Sequence, residues 1–251
     1  MSAVQVLRDG DAVAIVDGAG SAVAIVGPHM GARHRTMCRV RLEPGSSTVA
    51  LRHGGEAVWY VADGSGQALP DDGAPLPLEP GAMVHAGAGV GYRLQAADDA
   101  ALHLVGGPSP PDAAFARGGR SDASTGPGEL RLFHRDRPSK LVPMISSDAR
   151  LVVWPGVGAE TANMNYVRLQ PGEENQPHSH AQSEDTIAIL SGRGSIDDLT
   201  NGTTLEFEAG DVIHVPVGLE HRVKADRGSP IESVGGPCPP DSAMLQAAGP
   251  T

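Results

Sequence analysis

Lysine is almost missing from this sequence: Lys140 and Lys224 are the only two among 19 basic residues, set against 30 acidic ones. A net charge of −11 leaves no basic patch to follow a phosphate backbone, and two Trp, three Tyr and three Phe give few platforms for stacking bases. Nucleic acid is therefore not an expected partner. Long apolar runs are absent as well. Ala12–Val16 and Ala22–Val26 are among the longest and fall far short of a bilayer span, so no membrane partner is expected. The chain does not open with a basic segment followed by an apolar stretch, which points to a cytoplasmic location. Cys38 and Cys238 alone make neither a disulfide framework nor a zinc knuckle. What is plentiful is glycine, 33 residues, and proline, 21, in a chain of 251 residues with 40% hydrophobic content. That composition is globular, large enough for one or two cores, and rich in tight turns.

The chain also repeats itself, and the repeat decides its organisation. Residues 26–53 laid over 153–180 without a gap agree at 11 of 28 positions, from Val26/Val153 through Met37/Met164 and Arg41/Arg168 to His53/His180. Further on, Glu79, Gly81, His85, Gly89, Arg93 and Ala96 return as Glu208, Gly210, His214, Gly218, Arg222 and Ala225. The tail Val105-Gly-Gly-Pro-Ser-Pro-Pro-Asp112 returns as Val234-Gly-Gly-Pro-Cys-Pro-Pro-Asp241. Two copies of one module follow, over 1–115 and 129–251. Residues 116–128 between them are polar, Gly-rich and aperiodic, and read as a flexible linker.

Within each copy the signals are strands. Ala57–Val61 and Thr186–Leu190 are short apolar runs closed by Asp63-Gly64 and Ser191-Gly192. Asn201-Gly202 between two alternating stretches predicts a hairpin, because both residues tolerate positive φ. Short helices are expected only near Pro111-Asp112 and Pro240-Asp241, where an acid at the start suits the helix dipole. The prediction is all-β.

The second copy carries Gly172-x5-His178-Ser179-His180-x3-Glu184-Asp185-x6-Gly192, and later Gly210-x5-Pro216-x-Gly218-x2-His221. His-x-His on a strand turns both imidazoles to one face. A nearby carboxylate and a third histidine from a later strand would complete a three-His, one-acid set. Such a set suits a transition metal, and the lack of thiolate argues against structural zinc.

These two segments resemble the cupin family in its two-domain, bicupin form, and the resemblance covers both repeats. It implies two tandem antiparallel β-barrels of jelly-roll type, with a divalent transition metal (Fe, Mn, Ni or Zn) inside the second. The ligands it carries over are His178, His180 and His221 plus one acid. Counting on from His180 gives Glu184, while counting back from Gly192 gives Asp185. Neighbours on a strand face opposite ways, so only one can point at the metal without a bulge. Glu184 is taken as the ligand and Asp185 as a catalytic neighbour. The pattern's final Asn is replaced here by Ala225. Copy one has Leu51, His53 and Tyr92 where copy two has His178, His180 and His221, so its site is expected to be degenerate.

Other positions divide by whether they recur. His214 returns as His85 in the copy without a metal set, which favours a structural role. Asn165 and Tyr166 replace Cys38 and Arg39, so they differ where function should differ and stand as catalytic candidates. On this reading the protein is a metal-dependent enzyme acting on a small oxygen-rich molecule. Dioxygenase-type cleavage is favoured over isomerisation, decarboxylation, hydrolysis or cyclisation. The alternative is a non-catalytic binding or storage protein with a structural metal. A homodimer is the expectation that the resemblance carries.

Overall fold

Alternation sets the faces of the strands. In Met37–Leu42 the side chains of Cys38, Val40 and Leu42 are buried while Arg39 and Arg41 face out. A computed structural model describes residues 2–116, 126 and 128–241 of the chain. It divides into two compact units, Asp9–Asp136 and Met1–Arg8 with Arg137–Thr251.

In the unit Asp9–Asp136, a seven-stranded sheet runs in the order Leu130–His134, Ala82–Ala86, Glu56–Gly64, Leu102–Ser109, Met37–Leu42, Gly20–Val26, Asp11–Ala12. A six-stranded sheet is built around Gly66–Pro70 and Gly91–Ala96. Every pairing is antiparallel. Trp59, Val61 and Leu102 of the first sheet and Ala68, Tyr92 and Leu94 of the second share one core.

The other unit repeats the plan. Its seven-stranded sheet runs Gln5–Leu7, Val212–Val215, Glu184–Ser191, Ile231–Cys238, Met164–Leu169, Asp148–Val153, Lys140–Leu141. A three-stranded sheet of Thr203–Glu208, Arg193–Asp198 and His221–Ala225 completes it. Ile189, Ile213 and Ile231 pack with Ile196, Phe207 and Val223 to fill the space between these sheets. The expected hairpin is present: Asp198 pairs with Thr203 across a turn in which Gly202 has φ 70°.

Two details differ from the sequence reading, and a third is only partly covered by the described residues. The strands pair into open sheets in both units, not into closed barrels. The compact units also depart from the repeat at their edges. Gln5–Leu7, at the head of the first repeat, pairs with Val212–Val215, and Leu130–His134 pairs with Ala82–Ala86. Thirdly, only one of the two short helices falls among the described residues. Ala113–Ala116 follows Asp112, whose carboxylate accepts from the N–H groups of Ala114 and Phe115 at 2.8 and 3.2 Å. The chain after Asp241 lies outside the described residues, as does most of the 116–128 linker. Among the described residues no helix is long and apolar enough to cross a membrane.

Candidate metal centre

His178 and His180 sit in an irregular extended segment and not in a named strand. That segment is tied down by a reciprocal bridge: His178 N–H donates to the His221 carbonyl at 3.1 Å, and His221 N–H to the His178 carbonyl at 2.9 Å. The bridge brings the two imidazoles to a centroid distance of 4.3 Å, tilted by 51°, and His180 packs edge-on to His178 at 5.0 Å. His221 heads its own strand, and Asp185 is the second residue of Glu184–Ser191. One donor atom from each of His178, His180, Asp185 and His221 lies within 4.8 Å of all the others.

Each ring is held by its Nδ1 atom. His178 Nδ1–H donates to the Gln176 carbonyl at 2.9 Å, His221 Nδ1–H to the Leu219 carbonyl at 3.1 Å, and His180 Nδ1–H to Asp241 Oδ2 at 2.8 Å. These partners only accept, so the proton is on Nδ1 and the Nε2 lone pairs are left facing inward. Asp185 Oδ2 stands 3.7 Å from His180 Nε2 and 3.6 Å from His221 Nε2.

These four residues could hold a metal ion, and they pass a physical test for one. His180 Nε2, His221 Nε2 and Asp185 Oδ1 are buried without a hydrogen-bond partner. Leaving a buried polar atom unmet costs about 1–3 kcal/mol, and one cation would satisfy all three. The four groups also shift one another's protonation. Burial pushes the Asp185 carboxyl up, but the His180 and His221 imidazoles outweigh it and hold the group well below the usual carboxylate range. Burial pulls His180 down, yet Asp185 and Asp241 raise it above its ordinary value. His178 is lowered, by burial first and by His221 second.

The acid beside the three histidines is thus Asp185, the one reached by counting back from Gly192, and not Glu184, which the count on from His180 gives. Alternation separates them: Glu184 turns to the other side of the strand, where its Oε2 is 3.9 Å from His214 Nε2. The two catalytic candidates separate for the same reason. Asn165 lines a cavity at the donor group, whereas Tyr166 is buried on the opposite side under the Arg150 guanidinium, 5.0 Å from its ring centre. Asn165 donates to Asn163 Oδ1 at 2.6 Å and accepts from Val152 N–H at 3.1 Å. Asp241 was legible in the repeated tail but was read there only as a helix start. Its partner across the repeat, Asp112, lies 3.8 Å from His53 Nδ1.

The corresponding place in the other unit is filled. Tyr92 Oη accepts from Trp59 Nε1–H at 2.7 Å and lies 3.0 Å from His53 Nε2. Phe115 packs on both His53 and Trp59, with centroids 5.3 and 6.0 Å away. Among the described residues, the metal-competent cluster of three histidines and an acid occurs in the second unit only.

Comparison with known proteins agrees with this duplicated plan. The cupin domain matches residues 38–106 and again 165–233. A germin-like protein of Arabidopsis thaliana (subfamily T member 2) is 33% identical over 78 residues, covering 30% of this chain and 36% of that protein. Polyketide synthase CurC of Streptomyces cyaneus is 30% identical over 78 residues, 31% of this chain and 49% of that protein. The matches therefore span about a third to a half of these relatives. Among solved structures, a variant of oxalate decarboxylase from Bacillus subtilis superposes with a TM-score of 0.71 at 15% identity, over 96% of this chain and 78% of that one. The Lactobacillus farciminis oxalate decarboxylase–formate complex gives 0.71 at 15% identity, over 100% and 91%. The Bacillus enzyme has Mn(II) centres.

Proposed function

The chain belongs to the cupin family through both of its halves, and from that premise we propose that its second unit is a metal-dependent enzyme site for a small, oxygen-rich molecule. The observation that carries this reading is the set of clustered donors, His178, His180, His221 and Asp185, of which His178, His180 and Asp185 line a cavity of about 420 Å³. A divalent transition metal held by those four residues would supply Lewis-acid chemistry and, for a redox-active ion, electron transfer.

The chain's own residues narrow the reaction. His178, His180, Asp185 and Asp241 are the titratable side chains on the cavity wall. The first three are donors, and Asp241 is committed to His180 Nδ1. Isomerisation, hydrolysis and cyclisation each need a side chain to take or give a proton at the substrate. No described wall residue is left over for that work, which favours dioxygenase-type cleavage of an enediol or dicarbonyl, with dioxygen as co-substrate, over those three, and leaves decarboxylation as the second reading. Asn165 keeps one Nδ2 hydrogen beyond its bond to Asn163 and would orient a substrate oxygen.

Metal analysis of protein purified without a polyhistidine tag, beside His178→Ala, tests the reading. About one equivalent of a transition metal is expected in the wild type and none in the variant. Substrate-dependent oxygen uptake by the loaded protein should follow. Absence of metal after reconstitution would overturn the proposal, and turnover without oxygen uptake would overturn its redox part.

A further inference from the structure

We propose that the cavity selects an amphipathic substrate, a chelating pair of oxygens carrying an aryl or comparably bulky apolar group, and not a small dianion. The inference rests on the metal-site reading above and adds the chemistry of the substrate's body.

Two features of the wall carry it. The first is its apolarity beyond the donors: Val167, Leu169, Ile187, Val223 and Ile231 line it, and Ile145 stands with them. These residues come from four strands and one loop, so the apolar wall surrounds the space and is not a single stripe. Three of the five uncharged polar side chains interspersed among them bond to the protein, Asn165 with one Nδ2 hydrogen to spare. Asn175 Oδ1 accepts from Val223 N–H at 2.8 Å, Ser233 Oγ donates to the Val167 carbonyl at 3.3 Å, and Asn165 is held between Val152 and Asn163. The second feature is charge. No Arg or Lys is among the described wall residues. A dianion entering this space would bring two negative charges to a divalent ion already half neutralised by Asp185, with no cationic side chain to meet the remainder, and burying an unpaired charge is strongly unfavourable. A volume of about 420 Å³ lies in the range that takes ligands well beyond a handful of atoms.

The repeat shows how the space arises. Trp59, which pairs with Gly106, occupies the register position that Ile187, paired with Gly235, holds in the second unit. In the first unit that indole, with Tyr92 and Phe115, fills the interior. Replacing the indole by a branched four-carbon side chain leaves room above the donors.

Calorimetric titration of the Co(II)-loaded full chain with acetylacetone, benzoylacetone and oxalate tests the proposal, at concentrations where the cobalt absorption shows the ion retained. Benzoylacetone should bind about tenfold or more tighter than acetylacetone, since the two share a chelating head and differ by a buried phenyl. Oxalate should bind more weakly than either. Ile187→Phe, which fills the space, and Val167→Thr, which makes the wall polar at nearly constant volume, should each remove most of the phenyl advantage. The readout is the ratio of the two diketone affinities within each variant, which a general loss of binding does not change. Equal affinity for the two diketones, or oxalate binding as tightly as benzoylacetone, would overturn the inference. The same titration on metal-free protein separates it from the functional proposal. Failure to load cobalt would sink the metal-site reading, while a surviving preference for benzoylacetone would sustain the cavity's selectivity.

Discussion

The two units set a retained framework beside a changed interior. Both keep a histidine next to an aspartate from the end of the repeat, His53 with Asp112 at 3.8 Å and His180 with Asp241 at 2.8 Å. Both keep a glutamate facing a histidine across the neighbouring strand, Glu56 with His85 at 3.1 Å and Glu184 with His214 at 3.9 Å. They part at three donor positions, where Leu51, Ala57 and Tyr92 stand for His178, Asp185 and His221. The His–Asp pair is therefore a property of the scaffold, a donor set that could hold a metal is added by three side chains, and the smaller Ile187 leaves the space beside it. Fold and function separate within one chain, which is the general rule acted out between two copies of one module.

The largest effect should come from the pair of adjacent acids. Asp185→Asn removes the only carboxylate among the donors and should strip bound metal to the level of His178→Ala. Glu184→Gln, one residue away on the other side of the strand, should leave metal content unchanged. Elemental analysis of the two variants decides between them, and a reversed result would return the ligand to Glu184. Next in size is Asp241→Ala, which frees the His180 ring to turn. Metal affinity should fall by roughly 10- to 100-fold in competition with a chelator. Asp241→Asn, whose carbonyl still accepts from Nδ1–H, should recover much of it. The matching change Asp112→Ala should leave metal binding untouched.

The duplicated all-β plan was legible because repeats and turn residues are local, linear signals. Asn201-Gly202 announces itself, and the His-x-His pair with a later histidine marks the site, although His178 and His180 lie in an irregular segment and not on the expected strand. The choice between Glu184 and Asp185 was not legible. It depends on strand phase, and a motif count that can start from either end leaves the phase free by one residue. Asn165 and Tyr166 posed the same difficulty, resolved by the face that Met164–Leu169 turns to the cavity. Exchange of the edge strands Gln5–Leu7 and Leu130–His134 was hidden for a different reason. Pairing partners that lie far apart in the chain leave no trace in local periodicity.

A smaller effect should separate the units by stability instead of by metal. In Tyr92→Phe the Trp59 Nε1–H loses its acceptor and His53 Nε2 its partner, both in the closed interior of the first unit. Unfolding should become easier by about 1–3 kcal/mol, with metal content unchanged. A neutral result by thermal or denaturant unfolding would mean that water reaches this pocket, and that the first unit is less thoroughly filled than its ring contacts imply.

The smallest predicted effect concerns Asp112 and depends on pH. The His53 imidazole, against the upward push of burial and with help from the Phe115 and Ala114 N–H groups, holds this carboxyl well below the usual carboxylate range. A folded-state pKa below the unfolded value means that the charge stabilises the fold above the unfolded pKa. That contribution is lost only as pH falls through the lowered folded value. Asp112→Ala should therefore destabilise by roughly 1 kcal/mol at neutral pH, the usual worth of such a helix-start acceptor. The gap from wild type should narrow in strong acid. Asp112→Asn keeps the two N–H bonds through its carbonyl and loses only the charge beside His53, so its smaller deficit should carry most of the pH dependence. If both variants instead track the wild type at every pH, the His–Asp pair is dispensable where no metal donors accompany it. Its recurrence in the first unit would then be a remnant of duplication and not part of the scaffold.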